Sequence, residues 1–367
     1  MSWQQTTLGE VADIVSGSTP KSGVPRYWDG AVAWATPTDL SRLDGKHLDK
    51  TDRTITEAGL NECSARLLPP GSVLFSSRAP IGLVAINTKP MATNQGFKSF
   101  VPRSEVNADY LYWWLRANRR QLEDLGNGAT FKEVSKAVVS RVQFPLPPLT
   151  EQLRIAAILD KADAIRRKRE QALTLADDFL RSVFLEMFGE PNTNRMGLIK
   201  APLGDIIKVS SGNGLVGKDM ASDGIYPVYG GNGVNGYHSE YMFEEPQIVI
   251  GRVGAYCGAV HVSAPKSWVT DNALYIRTYM QPINKTYLEW ALRFANLNQY
   301  AGRAAQPLIS GGRIYEVEIL VPADADQLAF HRIVQKHSIL VSKLKSEAVN
   351  SVDLFAALSQ RAFAGDL

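Results

Sequence analysis

Cysteine is almost missing from this chain: Cys63 and Cys257 are its only two in 367 residues. They fall in different halves, so no disulfide framework holds the fold, and both read as reduced thiols of a cytosolic protein. Long apolar runs are missing too, none approaching the roughly 18 residues that a membrane span needs. The stretch Met1-Ser2-Trp3-Gln4-Gln5-Thr6-Thr7 shows no basic segment followed by an apolar one, so no signal peptide is expected. Charge of one sign is not in excess either, with 40 Lys and Arg against 37 Asp and Glu. That net of +3 excludes bulk electrostatic attraction as a route to nucleic acid; any such surface must be local. The five histidines, His47, His238, His261, His331 and His337, have no metal-ligand spacing with one another or with the cysteines.

What the chain does have is a repetition. Tyr110-Leu111 to Phe144-Pro145 returns as Tyr287-Leu288 to Val321-Pro322 at an offset of about 177 residues, each time followed by a long helical pattern. The first unit, 1–148, opens with the amphipathic piece Leu8–Val15 and a long Gly, Pro, Ser and Trp-rich loop, Ser16–Leu40, that has no counterpart in the second copy. Strands are expected at Ser72–Ser76 and Leu83–Asn87, and a helix over Ala108–Leu125 with Asn107 as cap and Gly126 as stop. A last strand, Val138–Phe144, meets Pro145-Leu146-Pro147-Pro148, where proline cannot continue a ladder. The second unit, 191–322, repeats this plan, with Thr270-Asp271-Asn272 where Thr93-Asn94-Gln95 stood.

Two helices complete the division, over 149–190 and 323–367. In the first, Ile155, Ile158, Ala162, Ile165, Ala172, Phe179 and Val183 recur at period 3.5 until Gly189-Glu190-Pro191 stops the run. That predicts a helix of about 38 residues, roughly 57 Å long. In the second, Phe330, Ile333, Val334, Leu340, Leu344, Val352, Phe355 and Leu358 form a matching seam over about Asp326–Ala362. Antiparallel pairing is the simplest way to bury both seams. The expected fold is α+β: two similar α/β units separated by two long antiparallel coiled-coil helices, a pseudo-two-fold internal repeat.

Enzymatic readings find little support in the motifs. Gly212-Asn213-Gly214-Leu215-Val216-Gly217-Lys218-Asp219 satisfies Gly-x-Gly-x-x-Gly, yet no apolar period follows to make the helix whose amides would face phosphate. A Gly-rich surface loop is the better reading. Base methylation would need an Asn/Asp/Ser-Pro-Pro-aromatic motif, and both Pro-Pro pairs here follow a leucine, Leu68 and Leu146. No nucleophile elbow appears. The run Arg166-Arg167-Lys168-Arg169 inside the first long helix has a DNA-contact reading, but mid-helix and beside a seam it reads rather as a solvated face or a contact for a partner protein.

A pseudo-two-fold molecule with unlike loops suits two separated half-sites on DNA. The loops combine hydrogen-bond donors with flat aromatics. In the first unit the candidates for DNA contact are Ser18, Thr19, Lys21, Arg26, Thr36, Thr38, Arg78, Thr130 and Lys132. In the second they are Asn213, Lys218, Tyr229, Asn232, Asn235, Tyr237, Arg252, Arg303, Gln306 and Arg313. Arg78 and Arg252, each after a strand, read as a matched pair, against which stands an ordinary arginine bonded to a backbone carbonyl. Trp34, Trp113, Trp114 and Trp290 read as core.

The order of these motifs resembles the specificity (S) subunit of type I restriction-modification systems. The carrying residues are Leu8-Gly9-Glu10, Ser16-Gly17-Ser18-Thr19-Pro20, Tyr27-Trp28-Asp29-Gly30, Thr93-Asn94-Gln95-Gly96-Phe97 and Phe144-Pro145-Leu146-Pro147-Pro148-Leu149-Thr150-Glu151-Gln152, with Leu203-Gly204-Asp205-Ile206 and Tyr226-Pro227-Val228-Tyr229-Gly230 in the second copy. A departure is Val321-Pro322-Ala323-Asp324-Ala325-Asp326-Gln327, which replaces the first copy's Pro-Pro-Leu-Thr-Glu-Gln. The resemblance implies two target-recognition domains, each reading half of an asymmetric bipartite DNA site, and no catalysis, cofactor or metal in this chain. It implies two modification subunits bringing S-adenosylmethionine, and restriction subunits using ATP and Mg. The alternatives are a stand-alone DNA-binding protein of antirestriction or regulatory type, and a DNA-modifying enzyme.

Overall fold

The structure, a computed structural model, describes residues 3–367 apart from 79, 128–131, 218–219, 221–222 and 303–306. By packing, the chain divides into a first unit of Met1–Glu170 with Glu347–Leu367 and a second of Gln171–Ser346. Each long helix is therefore shared between the units, whereas the sequence pattern set the helices apart as segments of their own.

Both copies open alike. Leu8–Val11 is one helical turn, held by the Glu10 carboxylate accepting from the Thr7 N–H and hydroxyl at 2.9 Å each. Leu203–Ile206 repeats the turn. Each turn runs directly into a strand, Ala12–Ser16 and Ile207–Ser211. The piece expected over 8–15 thus changes period midway, because Ala12–Ser16 pairs with Lys98–Pro102 as a strand, Ala12 and Ile14 packing into one core and Val15 into another.

In the first unit a five-stranded sheet is ordered Ala12–Ser16, Lys98–Pro102, Val73–Phe75, Val84–Asn87, His47–Leu48. In the second, four strands follow the same plan: Ile207–Ser211, Ala273–Tyr279, Ile248–Gly251, Val260–Val262. A smaller three-stranded sheet stands beside each. Its centre in the first unit is Trp28–Ala35, parallel to Met91–Thr93, and in the second Tyr226–Gly230, parallel to Trp268–Val269. Residues 16–40 are therefore not one loop without counterpart. They hold the strand Trp28–Ala35 and the helix Pro37–Ser41, and Asn94 N donates to Ala35 O at 3.0 Å as Thr270 N does to Tyr229 O at 2.9 Å. A bulge between Trp28 and Val32, with Gly30 inside it, breaks the alternation that would have marked the strand.

The hydrogen bonds also correct the repeat's register. Tyr110 and Tyr287 keep the 177-residue offset, but their hydroxyls donate to Pro145 O (3.0 Å) and Leu320 O (2.6 Å), so Pro145 corresponds to Leu320 rather than to Pro322. Asn94 likewise corresponds to Thr270, one residue earlier than the sequence match.

Two further expectations change. Asn107 does cap the helix, its Oδ1 accepting from Tyr110 N at 3.0 Å, but Asn118 divides it into Ala108–Ala117 and Arg119–Asp124. Ser135 caps a helical turn, Lys136–Ser140, where a strand was expected, leaving only Gln143–Pro145 to pair with Gln5–Thr7. A good N-cap at a chain reversal outweighs the β-preference of Val138 and Val139.

The long helices are Leu149–Phe188 and Asp324–Ala364. In the first unit their segments run antiparallel, Arg169 donating to Glu347 O and Arg154 to Leu367 O, both at 2.8 Å. In the second, His337 Nε2 lies 2.7 Å from Ala176 O and Phe184 packs edge-on against Phe330. The buried seam differs from the expected one. Ile155, Leu159, Phe184, Phe188 and Phe330 are buried, while Ile165, Phe179, Leu340 and Val352 are exposed. Each globular domain selects the helix face it covers: Phe184 stacks on Phe294 with centroids 4.6 Å apart.

Candidate nucleic-acid interface

The loops that carry the candidates are held on a stiff base. Gln152, on the first long helix, is fully buried and its amide is fully used. It accepts from Asn107 N and donates to Glu105 O and Pro147 O, each at 2.9 Å. Gln327 does the same for the second copy, accepting from Asn284 N (2.9 Å) and donating to Pro322 O (2.8 Å). These two glutamines align the junctions despite the divergent sequence around the second.

Two ionic pins add to this in the first unit. Lys46 Nζ reaches Asp109 (2.6 Å) and Asp160 (2.7 Å), and Trp113 Nε1 donates to Asp160 at 2.9 Å. Burial works against the Lys46 charge, but the two carboxylates hold its pKa above the ordinary lysine value. Buried Asp163 meets Arg166 (2.9 Å), Arg167 (2.6 Å) and Arg116 (3.9 Å). Burial alone would raise this carboxyl, yet the bond from Arg166 and the charges of Arg116 and Arg167 hold it below its ordinary 3.8. Arg166 and Arg167 are thus internal partners, and Arg169 bonds the second helix, so the basic run is neither a bare solvated face nor a free docking patch.

Above this base the first unit opens a cavity of about 640 Å3 lined by Trp34, Thr36, Thr38, Arg53, Arg78 and Asn94 among others. Close backbone approach holds the chain near it, beside Trp34 and Asn94. Gly17 packs on the carbonyls of Thr93 and Asn94, where a Cβ would collide, and Gly212 sits in the same way on Val269 and Thr270. Ser18 N donates to Thr93 O (2.9 Å), and Trp34 Nε1 donates to Ser18 O (3.0 Å). Asn213 N donates to Val269 O (3.0 Å), and Trp268 Nε1 donates to Asn213 O (3.1 Å).

The structure brings three nominated residues, Thr36, Thr38 and Arg78, to this cavity, and engages others internally. Thr36 N and Oγ1 both donate to buried Asp39, at 2.7 and 2.6 Å, and Asp39 also accepts from Asp52 N at 2.7 Å. Thr19 bonds Gln95, Lys21 pairs with Glu62 (3.4 Å), Arg26 lies on Tyr27 and donates to its hydroxyl (3.3 Å), and Arg78 pairs with Glu133 (3.9 Å). Lys132 is exposed. Thr130, Lys218, Arg303 and Gln306 lie outside the described residues.

In the second unit Asn232, Asn235 and Tyr237 are exposed around the hairpin of Tyr226–Gly230 and Gly233–His238. Tyr229 is instead buried, its hydroxyl accepting from Ala264 N at 3.0 Å. Arg252 donates to Asp271 O (3.1 Å) and exposed Arg313 to Tyr300 O (3.4 Å). Arg252 N donates to Asn272 O (3.0 Å) as Ser77 N does to Gly96 O (2.7 Å). Arg252 therefore corresponds to Ser77, and the pairing of Arg78 with Arg252 is off by one residue.

Sequence reasoning missed Arg53. Its guanidinium carbon lies 3.8 Å over the Trp28 ring and 5.5 Å from that of Trp34, and the two indoles meet edge-on at 84°. Nothing in Asp52-Arg53-Thr54 marks it; only the fold brings the two tryptophans to it.

A duplicated sheet scaffold, unlike loops beside it and a paired-helix base define a two-module protein built on an internal repeat. The chain belongs to the family described as the type I restriction modification DNA specificity domain, which matches residues 1–175 and 200–350. The function that goes with it is that of a type I restriction-modification specificity subunit. The specificity subunit of the MjaIX enzyme of Methanocaldococcus jannaschii is 34% identical over 233 residues, 58% of this chain and 53% of that one. That of EcoprrI from Escherichia coli is 27% identical over 402 aligned residues, 95% of this chain and 92% of that one. The chain thus spans about half of the first relative and nearly all of the second. In fold it is similar to the S subunit from M. genitalium, with TM-score 0.64, 16% identity and coverage of 99% and 96%. A chain solved for complex assembly and conformational transition of a type I R-M system gives TM-score 0.65 at 18% identity, covering 100% and 98%.

Proposed function

We propose that each unit of this chain reads one half of an asymmetric, two-part DNA site, that the long helices set the spacer and dock two modification subunits, and that the chain itself performs no chemistry. The observation that carries this reading is the contrast between kept and changed parts. The main sheets, the close approaches at Gly17 and Gly212 and the Gln152 and Gln327 junctions are alike, while the surroundings of the two matching centre strands differ: Trp28–Ala35 pairs with Thr54–Ile55 beside its cavity, whereas Tyr226–Gly230 turns straight into the hairpin strand Gly233–His238. A common scaffold presenting two different surfaces suits two different addresses.

S-adenosylmethionine would then belong to the modification subunits, with ATP and Mg in a restriction subunit, and the assembly would work in the cytoplasm. No described helix is long and apolar enough to cross a membrane. Added to partner modification subunits, the purified chain confers methylation at a bipartite sequence, read by sequencing modified bases, and shows none alone. Methylation by the isolated chain overturns the reading.

A further inference from the structure

We propose that Arg53 is the residue with which the first unit reads a guanine in its half of the site; this rests on the DNA-reading assignment above. The cations around the first unit's cavity are not equivalent. Arg42 and Arg78, which line it together with Arg53, each have a carboxylate, Asp52 at 2.9 Å and Glu133 at 3.9 Å. Arg53 has none: among the described residues its guanidinium makes no hydrogen bond or ion pair, and its contacts are the faces of Trp28 and Trp34.

Its backbone is fixed as well. Arg53 O accepts from Trp34 N at 3.2 Å and from Thr51 Oγ1 at 2.7 Å, and the preceding Asp52 N is held by buried Asp39. Stacking on indole restrains the side chain while leaving its N–H groups unused. Rotamer freedom already lost in the free protein is not lost again on binding.

An arginine can only donate, so its target must accept. Guanine offers O6 and N7 together on the major-groove edge, matching the two-pronged guanidinium; adenine replaces one acceptor with a donor, and thymine presents O4 beside a methyl group. Phosphate also accepts, but any mobile surface lysine or arginine serves it, and an aromatic cradle adds nothing to that task.

The test is the pattern of methylated sites in genomic DNA from cells expressing the full chain with its partner modification subunits, as wild type, Arg53→Gln and Arg53→Lys. Expected is a wild-type motif with a guanine in one half that becomes degenerate at that position in both variants, the preference falling by about 5- to 100-fold, while the other half is unchanged. If Arg53→Gln gives no methylation, Arg53→Lys decides: a relaxed position supports the assignment and a wild-type motif overturns it. Uniform loss at every site with the motif intact in both variants assigns Arg53 to phosphate or to the scaffold and overturns the proposal. A wild-type chain that yields no bipartite motif overturns the DNA-reading assignment and this proposal together, whereas a wild-type motif kept by both variants overturns only the role of Arg53.

Discussion

A glutamine amide offers one acceptor and two donors, and Gln152 uses all of them on backbone groups that bracket the start of its helix. Replacing it by alanine strands the Asn107 N–H and the carbonyls of Glu105 and Pro147 away from water. We expect Gln152→Ala to lower the unfolding free energy of the first unit by about 2–4 kcal/mol. Chemical denaturation followed by the fluorescence of buried Trp113 and Trp114 reports it; a change below about 0.5 kcal/mol, the scale of ordinary surface substitutions, would show that the bonds are dispensable. At this scale the sequence marked residue types but not their engagements. Thr36 was a fair nominee as a donor, yet both its donors go to Asp39. Tyr229 sits in a Gly-rich stretch that looks exposed and is buried. Arg53 carried no signal, because its distinction is that, among the described residues, its guanidinium meets indole faces and no hydrogen-bond or ion-pair partner, which only the placement of the other side chains reveals.

Among the elements, the long helices were the most legible, since an apolar period sustained over dozens of residues admits no other regular structure. Their seam was less so, because each globular domain, as well as the other helix, decides which face is covered. The boundary between units falls in both helices, after Glu170 and before Glu347. Adding four residues to each helix there preserves the pairing inside each unit and lengthens each helix by about 6 Å at 1.5 Å per residue. The expected outcome is a methylated motif with both half-sites unchanged and a spacer longer by about two base pairs, at roughly 3.4 Å each. A changed half-site with an unchanged spacer would remove the helices from the role of ruler. The short elements were read least well: Lys136–Ser140 and Trp28–Ala35 depend on a cap and a bulge, local devices that outweigh propensity over a few residues.

For the whole molecule, independence of the two readers is the central expectation. Each unit has its own buried core, one around Tyr110, Trp113 and Phe144 and the other around Tyr287, Phe184 and Phe330. Exchanging residues 1–148 for the matching segment of another family member therefore alters one half of the methylated sequence and leaves the other as it was. Modified-base sequencing of cells carrying the hybrid checks this, and a change in both halves would mean that the units read jointly.

The sequence by itself determined the duplication, the two long helices and the Asn107 cap, because these follow from periodicity and from backbone geometries that few residue types satisfy. Tertiary structure alone decided the register of the repeat, the strands hidden in residues 16–40, the helix faces that are buried and which cations keep their donors free. Those outcomes depend on contacts between residues far apart in the chain, and no local pattern encodes whether a distant carboxylate or indole will arrive to meet a given arginine.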